Sequence, residues 1–168
     1  EKYERYTQLN AQKADLEKAK ADLESLIEQL LQQMETVFVG QFSALQGYFA
    51  ETFTRLFGGG SGEIALSNPN DPLNCGIEIT VQPPGKKRQL LSLFSGGERA
   101  LTAIAILFAM LKLKPTPFCI LDEIEAALDD ANISYFADYL KEFSQDTQFV
   151  VVTHRKGTME RCDTLFGV

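Results

Sequence analysis

Leucine or valine returns at every seventh position from Leu9 through Leu16, Leu23 and Leu30 to Val37, inside a stretch from Tyr3 to Phe57 that holds no proline. That spacing is the heptad repeat of a helix that winds around another helix. Ile27 and Met34 take the companion seam positions, which Lys13 and Lys20 fill earlier. Lysines there fit a two-stranded coil, since the aliphatic stem lies along the seam while the ammonium reaches water. The alternative, an amphipathic helix packed on its own globule, is disfavoured because the first ~30 residues have little else apolar to bury. A helix of this span is on the order of 80 Å long at 1.5 Å per residue, longer than a small domain is wide.

Beyond Val37 the stripe changes character. Phe38, Phe42, Leu45, Phe49, Phe53 and Leu56 keep helical spacing but carry large side chains, as expected where an arm enters a globular core. Gly58-Gly59-Gly60 then offers the backbone freedom that stops a helix. Two domains are expected: a coiled-coil arm over residues 1–37 and a globular lobe over residues 38–168.

Within the lobe, Glu63 to Leu66 and Gly76 to Val81 read as antiparallel strands between turn-rich stretches. The order then becomes helix Gly96–Leu113, strand Phe118–Leu121, helix Ala131–Phe143, strand Gln148–Val152, helix Gly157–Cys162 and a terminal strand near Thr164–Gly167. Strands alternating with helices imply parallel pairing, so the fold class is α/β with a mixed sheet and flanking helices. The runs Phe-Cys-Ile-Leu and Phe-Val-Val-Val suit strands covered on both faces.

Composition narrows the function. A formal net charge of −7 argues against nonspecific nucleic-acid binding by the chain's overall field, so DNA contact needs a partner surface. Cys75, Cys119 and Cys162 are odd in number and far apart, which favours unpaired thiols in a reducing compartment. No secretory signal opens the chain, and the most apolar run, Ala100 to Leu111, is shorter than the about 20 residues of a membrane span. A start without methionine is expected of an excised fragment.

Chemistry concentrates in three places. Ser95 precedes Gly96-Gly97-Glu98 at a helix start, where a hydroxyl, exposed N–H groups and the positive end of the helix dipole can meet a phosphate. The same residues also make an ordinary helix cap with an acidic first turn. Phe118-Cys119-Ile120-Leu121 ends in Asp122-Glu123, adjacent carboxylates that are improbable on a buried strand unless it ends there and turns them into a cleft. Asp122 is then placed to bind magnesium, directly or through water, and Glu123 to accept hydrogen bonds from an attacking water. The bland alternative is an acidic strand end capping the next helix. His154 follows Val150-Val151-Val152-Thr153 and is expected on the same sheet edge, where ligands of open α/β sheets collect. A Gly-x-x-x-x-Gly-Lys-Ser/Thr phosphate loop is missing: Gly58 to Glu63 has glycines without a lysine, and Pro83 to Arg88 has lysines without the frame.

Together these segments resemble the ABC-type ATPases, and more closely the C-terminal half of the head of structural maintenance of chromosomes (SMC) proteins of the bacterial condensin kind. Leu93 to Ala100 resembles the family signature, with Phe94 where leucine is usual. Phe118 to Glu123 resembles Walker B with its following glutamate, Ala126-Ala127-Leu128-Asp129 the D-loop, and Thr153 to Glu160 the switch histidine and its flank. The likeness covers essentially the whole chain.

The resemblance implies a C-terminal lobe of a P-loop NTPase head, with the Walker A loop in the N-terminal half of the same polypeptide. It implies ATP and Mg2+ as cofactors and a second head with which two ATP molecules are sandwiched. Ser95, Gly96, Gly97 and Glu98 are then expected to reach nucleotide in trans, with Asp129 of the D-loop also at the nucleotide. Asp122 is expected to hold Mg2+, while Glu123 and His154 act on the ATP of their own head. A kleisin subunit, DNA through the complete complex, no membrane, and a cytoplasmic, nucleoid-associated setting follow by the same resemblance. The implied function is chromosome condensation and segregation. The rival expectations are a DNA-repair ATPase with similar heads, or a scaffold module with no activity in isolation.

Overall fold

The computed structural model describes residues 2–145 and 147–167. Glu1 and Val168, the outer ends of the two expected domains, lie outside the described residues. Helix α1 runs over Lys2–Leu56, and the chain divides into two compact units, one up to Gly40 and one from Gln41 onward.

In the first unit the seam residues Leu9, Leu16, Leu23, Ile27, Leu30, Met34 and Val37 are all exposed. Lys13 pairs with Glu17 and Lys20 with Glu24, each at 3.6 Å and one helical turn apart. Such exposed pairs contribute only a few tenths of a kcal/mol each. What would hold this stretch in place is an apolar seam, not its charges.

The second unit begins with the aromatic half of α1. Phe42, Phe49, Phe53 and Leu56 are buried, and Phe53 stacks on Phe57 with ring centroids 4.1 Å apart. The helix ends when the Gly59 N–H turns back to the Thr54 carbonyl at 2.8 Å. Gly60 follows at φ +80°, and a Cβ there would sit 2.2 Å from the Gln82 carbonyl oxygen, so this step tolerates no side chain. It delivers the chain into β1 (Ser61–Leu66), which pairs antiparallel with β2 (Ile77–Gln82) from Ser61 opposite Gln82 to Leu66 opposite Ile77. A two-residue strand, β3 (Gln89–Leu90), adds to the other edge of β2.

The second half is α2 (Gly96–Leu113), β4 (Phe118–Asp122), α3 (Asp130–Phe143), β5 (Gln148–Val152) and α4 (Lys156–Met159). Strands β4 and β5 are parallel, with Phe118 opposite Gln148 and Asp122 opposite Val152. Phe108 of α2 is fully buried at the centre, its ring within 5.1–6.2 Å of those of Phe136, Tyr139, Phe143 and Phe149. Thr52 of α1 meets the Tyr139 hydroxyl at 3.2 Å, joining α1 to α3.

Four expectations are corrected. The described strands do not form one mixed sheet: β1, β2 and β3 make an antiparallel sheet, and β4 and β5 a separate parallel pair. Thr164–Gly167 is not a strand, and the last helix spans Lys156–Met159 rather than Gly157–Cys162. Strands β4 and β5 are not covered on both faces: Phe118 and Ile120 on one, and Val150 and Val152 on the other, leave an apolar ladder exposed. The helices of this chain cover the opposite face, on which Leu121 is buried.

Candidate functional site

Strand β4 stops at Asp122, and the chain turns sharply at the next residue. Glu123 has φ +47°, the one left-handed non-glycine residue among those described. That conformation costs about 1–2 kcal/mol for a residue with a Cβ. Its N–H still donates to the Val152 carbonyl at 2.9 Å, so the turn is anchored on β5. The left-handed step resolves the difficulty of two adjacent carboxylates: both Asp122 and Glu123 are exposed rather than one being driven into the core. Two residues past β5, His154 places Nδ1 3.2 Å from Oε1 of Glu123. Asp122, Glu123 and His154 therefore share the carboxyl-end edge of a parallel strand pair.

No group of three or more His, Cys, Asp or Glu side chains able to hold a metal occurs among the described residues. This donor set still suits one divalent ion. Magnesium keeps several waters and takes one or two carboxylates together with substrate phosphates, which a single exposed Asp122 beside a phosphate can supply.

Ser95 caps α2 with a complete capping box. Its Oγ accepts from the Glu98 N–H and donates to Glu98 Oε2 at 2.8 Å, while the Ser95 N–H also donates to that oxygen. The hydroxyl is thus turned onto Glu98. Gly96 is exposed, and a Cβ on it would meet nothing within 4 Å. A Cβ on Gly97 would lie 3.2 Å from the Ala127 carbonyl oxygen, so α2 begins tight against the loop that leads to Asp129. Asp129 itself caps α3, accepting from the Asn132 N–H at 2.9 Å, and remains exposed.

Lys86, in the loop after β2, donates to Glu98 Oε1 at 2.8 Å. Sequence reasoning set this lysine aside; only the folded loop shows that it neutralises a carboxylate next to the glycine pair. Burial pushes the Glu98 carboxyl up, but hydrogen bonds from Lys86 and Ser95 and the lysine's charge outweigh it and hold the group below the ordinary glutamate value. A carboxylate lowered in the fold contributes its stability in full above the unfolded value and loses it as pH falls through the lowered folded value. The start of α2 is therefore expected to loosen only in acid, and Lys86→Met to shift the Glu98 titration upward. NMR titration of the Glu98 side-chain carbon reads this directly; an unchanged midpoint in the variant would disprove the contact.

The other residues that sequence reasoning missed are Glu125, which is buried, and Thr153 and Arg155, quoted only as flanking residues. Nothing local distinguishes Glu125 from Glu123 two residues earlier, so the sequence does not mark which of the two faces inward.

The family model described as the RecF/RecN/SMC N terminal domain matches residues 3–168. The chain belongs to the SMC family. It is 56% identical over 165 residues to the chromosome partition protein Smc of Bacillus subtilis, covering 98% of this chain and 14% of that protein. The Smc of Clostridium kluyveri is 56% identical over 162 residues, covering 96% of this chain and 14% of that protein. The chain thus spans about one-seventh of the length of these relatives. Among solved structures it is similar to a Pyrococcus furiosus Smc head domain with an extended coiled coil, bound to the C-terminal domain of ScpA. There the identity is 42% and the TM-score 0.76, with 95% of this chain and 40% of that chain covered. A structure from work on ATP-driven dimerization and DNA-stimulated activation of SMC ATPases matches at 43% identity and TM-score 0.75, covering 79% of this chain and 81% of that one. The mixed α/β fold is that of SMC heads. No helix among the described residues is long and apolar enough to cross a membrane.

Proposed function

We propose that this chain is the C-terminal lobe of the ATPase head of a bacterial SMC protein, with residues 1–37 as the adjoining neck helix and residues 38–168 as the lobe. The matched family description speaks of an N terminal domain; the C-terminal placement rests on the residues instead. The signature-like, Walker B-like and switch-like segments are present and the phosphate loop is absent. The observation that carries the proposal is the 3.2 Å contact of Glu123 with His154 at the ends of two parallel strands.

In this proposal the N-terminal lobe of the same protein covers the exposed ladder of β4 and β5 and brings the loop that wraps ATP. Burying each large apolar side chain contributes roughly 1.5–3 kcal/mol, so the two lobes stabilise one another. Glu123 takes a proton from the water that attacks the γ-phosphorus, the bond to the β-phosphate oxygen breaks, and ADP and phosphate leave. His154 contacts the terminal phosphate and is held by Glu123. Asp122 would hold Mg2+, which when bound would supply neutralisation of the charge on the phosphates. Ser95, Gly96, Gly97 and Glu98 offer the start of α2 to the ATP of a second head, and Asp129 lies beside it. ATP then favours pairing of heads, and hydrolysis removes the contact that favoured it. The similar structures bound to ScpA, and those studied for ATP-driven dimerization, support a kleisin subunit and a second head as partners. Chromosome partition through DNA held by the whole complex, in the cytoplasm at the nucleoid, completes the proposal.

Mixing this chain with the N-terminal lobe tests it. ATP turnover, absent from either part alone, is expected to appear in the mixture, together with a rise in melting temperature. Stable association of the lobes without turnover would overturn the enzymatic role and leave a scaffold.

A further inference from the structure

Glu125 lies in the loop between β4 and α3, two residues beyond Glu123, and is 1% exposed. A carboxylate so placed is costly unless its oxygens are bonded. One is: Thr153 donates its hydroxyl to Glu125 Oε1 at 2.5 Å. The other, Oε2, has no partner among the described residues. A group that satisfies only half of its bonding capacity in the core lowers stability, and such groups persist where they hold something in place.

What this one holds follows from its partners. Thr153 Oγ1 also accepts from the Arg155 N–H at 2.9 Å. The Arg155 guanidinium donates in turn to the Leu128 carbonyl and lies 3.6 Å from Asp130. Glu125, Thr153, Arg155 and Leu128 therefore stitch the loop after β4 to the loop after β5. The exposed residues proposed for the chemistry of these loops lie within two residues of a member of the stitch. Glu123 is two residues before Glu125, His154 lies between Thr153 and Arg155, and Asp129 follows Leu128. Glu123 and His154 have side chains 53% and 62% exposed, and an exposed pair holds its own geometry weakly.

We infer that Glu125 is a positioning residue. Acting through the Thr153 hydroxyl, it fixes the separation of Glu123 from His154 and ties both to the Asp129 segment. The inference rests on the proposed ATPase role of that site. Misplacing a reacting group by about 1 Å can cost two orders of magnitude in rate, so the frame matters to turnover although it never meets ATP.

The test uses the full-length protein with Thr153→Val, Thr153→Ser, Glu125→Leu and Glu125→Gln. Valine keeps the shape of threonine but cannot bridge, and leucine removes the buried carboxylate. Both are expected to lower kcat at least about tenfold with little change in the KM for ATP. Serine and glutamine keep a bridge and are expected to recover most of the rate. Glu125→Leu is also expected to leave the melting temperature equal or higher, since it removes a buried polar group with an unpartnered oxygen; a purely structural glutamate would show the reverse, lower stability with unchanged kcat. Parent kcat in both Thr153→Val and Glu125→Leu would overturn the inference. Amide hydrogen exchange supplies a readout that needs no turnover. In Glu125→Leu, faster exchange confined to residues 123–129 and 153–155 supports the stitch, and unchanged exchange there defeats it. A parent protein without ATP turnover would refute the functional proposal alone.

Discussion

Glu123→Gln is expected to lower ATP turnover of the completed head by roughly a hundredfold or more while leaving ATP-dependent pairing of heads intact. The substitution is nearly isosteric, and glutamine meets the same left-handed backbone at φ +47° as glutamate does. The N–H bond to the Val152 carbonyl is untouched, and the amide oxygen can still accept from His154 Nδ1. What disappears is the capacity to take a proton from water. In the proposed head, ATP is gripped by the phosphate loop and pairing runs through the start of α2, neither of which includes this side chain. Steady-state phosphate release and sedimentation with ATP measure the two properties separately. Equal turnover in mutant and parent would remove Glu123 from the chemistry.

Some of this geometry was legible before any coordinates. The bounds of α2 follow from Ser95, the glycine pair and Glu98, because a capping box is written in adjacent residues. The bounds of β5 follow from an apolar run between polar ends, and the clustering of Asp122, Glu123 and His154 follows from parallel pairing, which sends both strand ends to one edge. The failures have equally definite causes. Strand β3 is two residues long and is defined by its ladder to Thr80 and Val81, a partner that no local pattern reveals. Thr164–Gly167 has strand-like residues, but β-propensity expresses a fit to neighbouring strands, and none of those described accepts it. The apolar runs of β4 and β5 suggested cover on both faces, yet Phe118, Ile120, Val150 and Val152 are exposed in this chain, because an apolar run does not say what, if anything, packs on each face. Lys86 and Glu125 escaped for a related reason: each takes its meaning from a partner 12 or 28 residues away, beyond intervening elements.

Ser95→Arg is expected to abolish ATP-dependent pairing of heads, and with it turnover, while each completed head still folds and binds ATP. The fold survives because α2 is held by Leu101, Ile104, Ala105, Phe108 and Ala109, all buried, and not by its cap alone. Losing the cap costs about 1 kcal/mol. Pairing fails because Gly96 presents open space, and a guanidinium swung over the first helical N–H groups fills the volume that a phosphate requires. Bulk decides this, since charge by itself would favour an anion; Ser95→Ala, which loses the hydroxyl and the cap but adds no bulk, is expected to weaken pairing without eliminating it. Combining Ser95→Arg with Glu123→Gln should give the phenotype of Ser95→Arg, because in the proposed cycle pairing precedes hydrolysis. Normal ATP-dependent dimers of the Ser95→Arg head in sedimentation would mean that the start of α2 is only a helix cap, and the trans contact would have to be sought elsewhere on the surface.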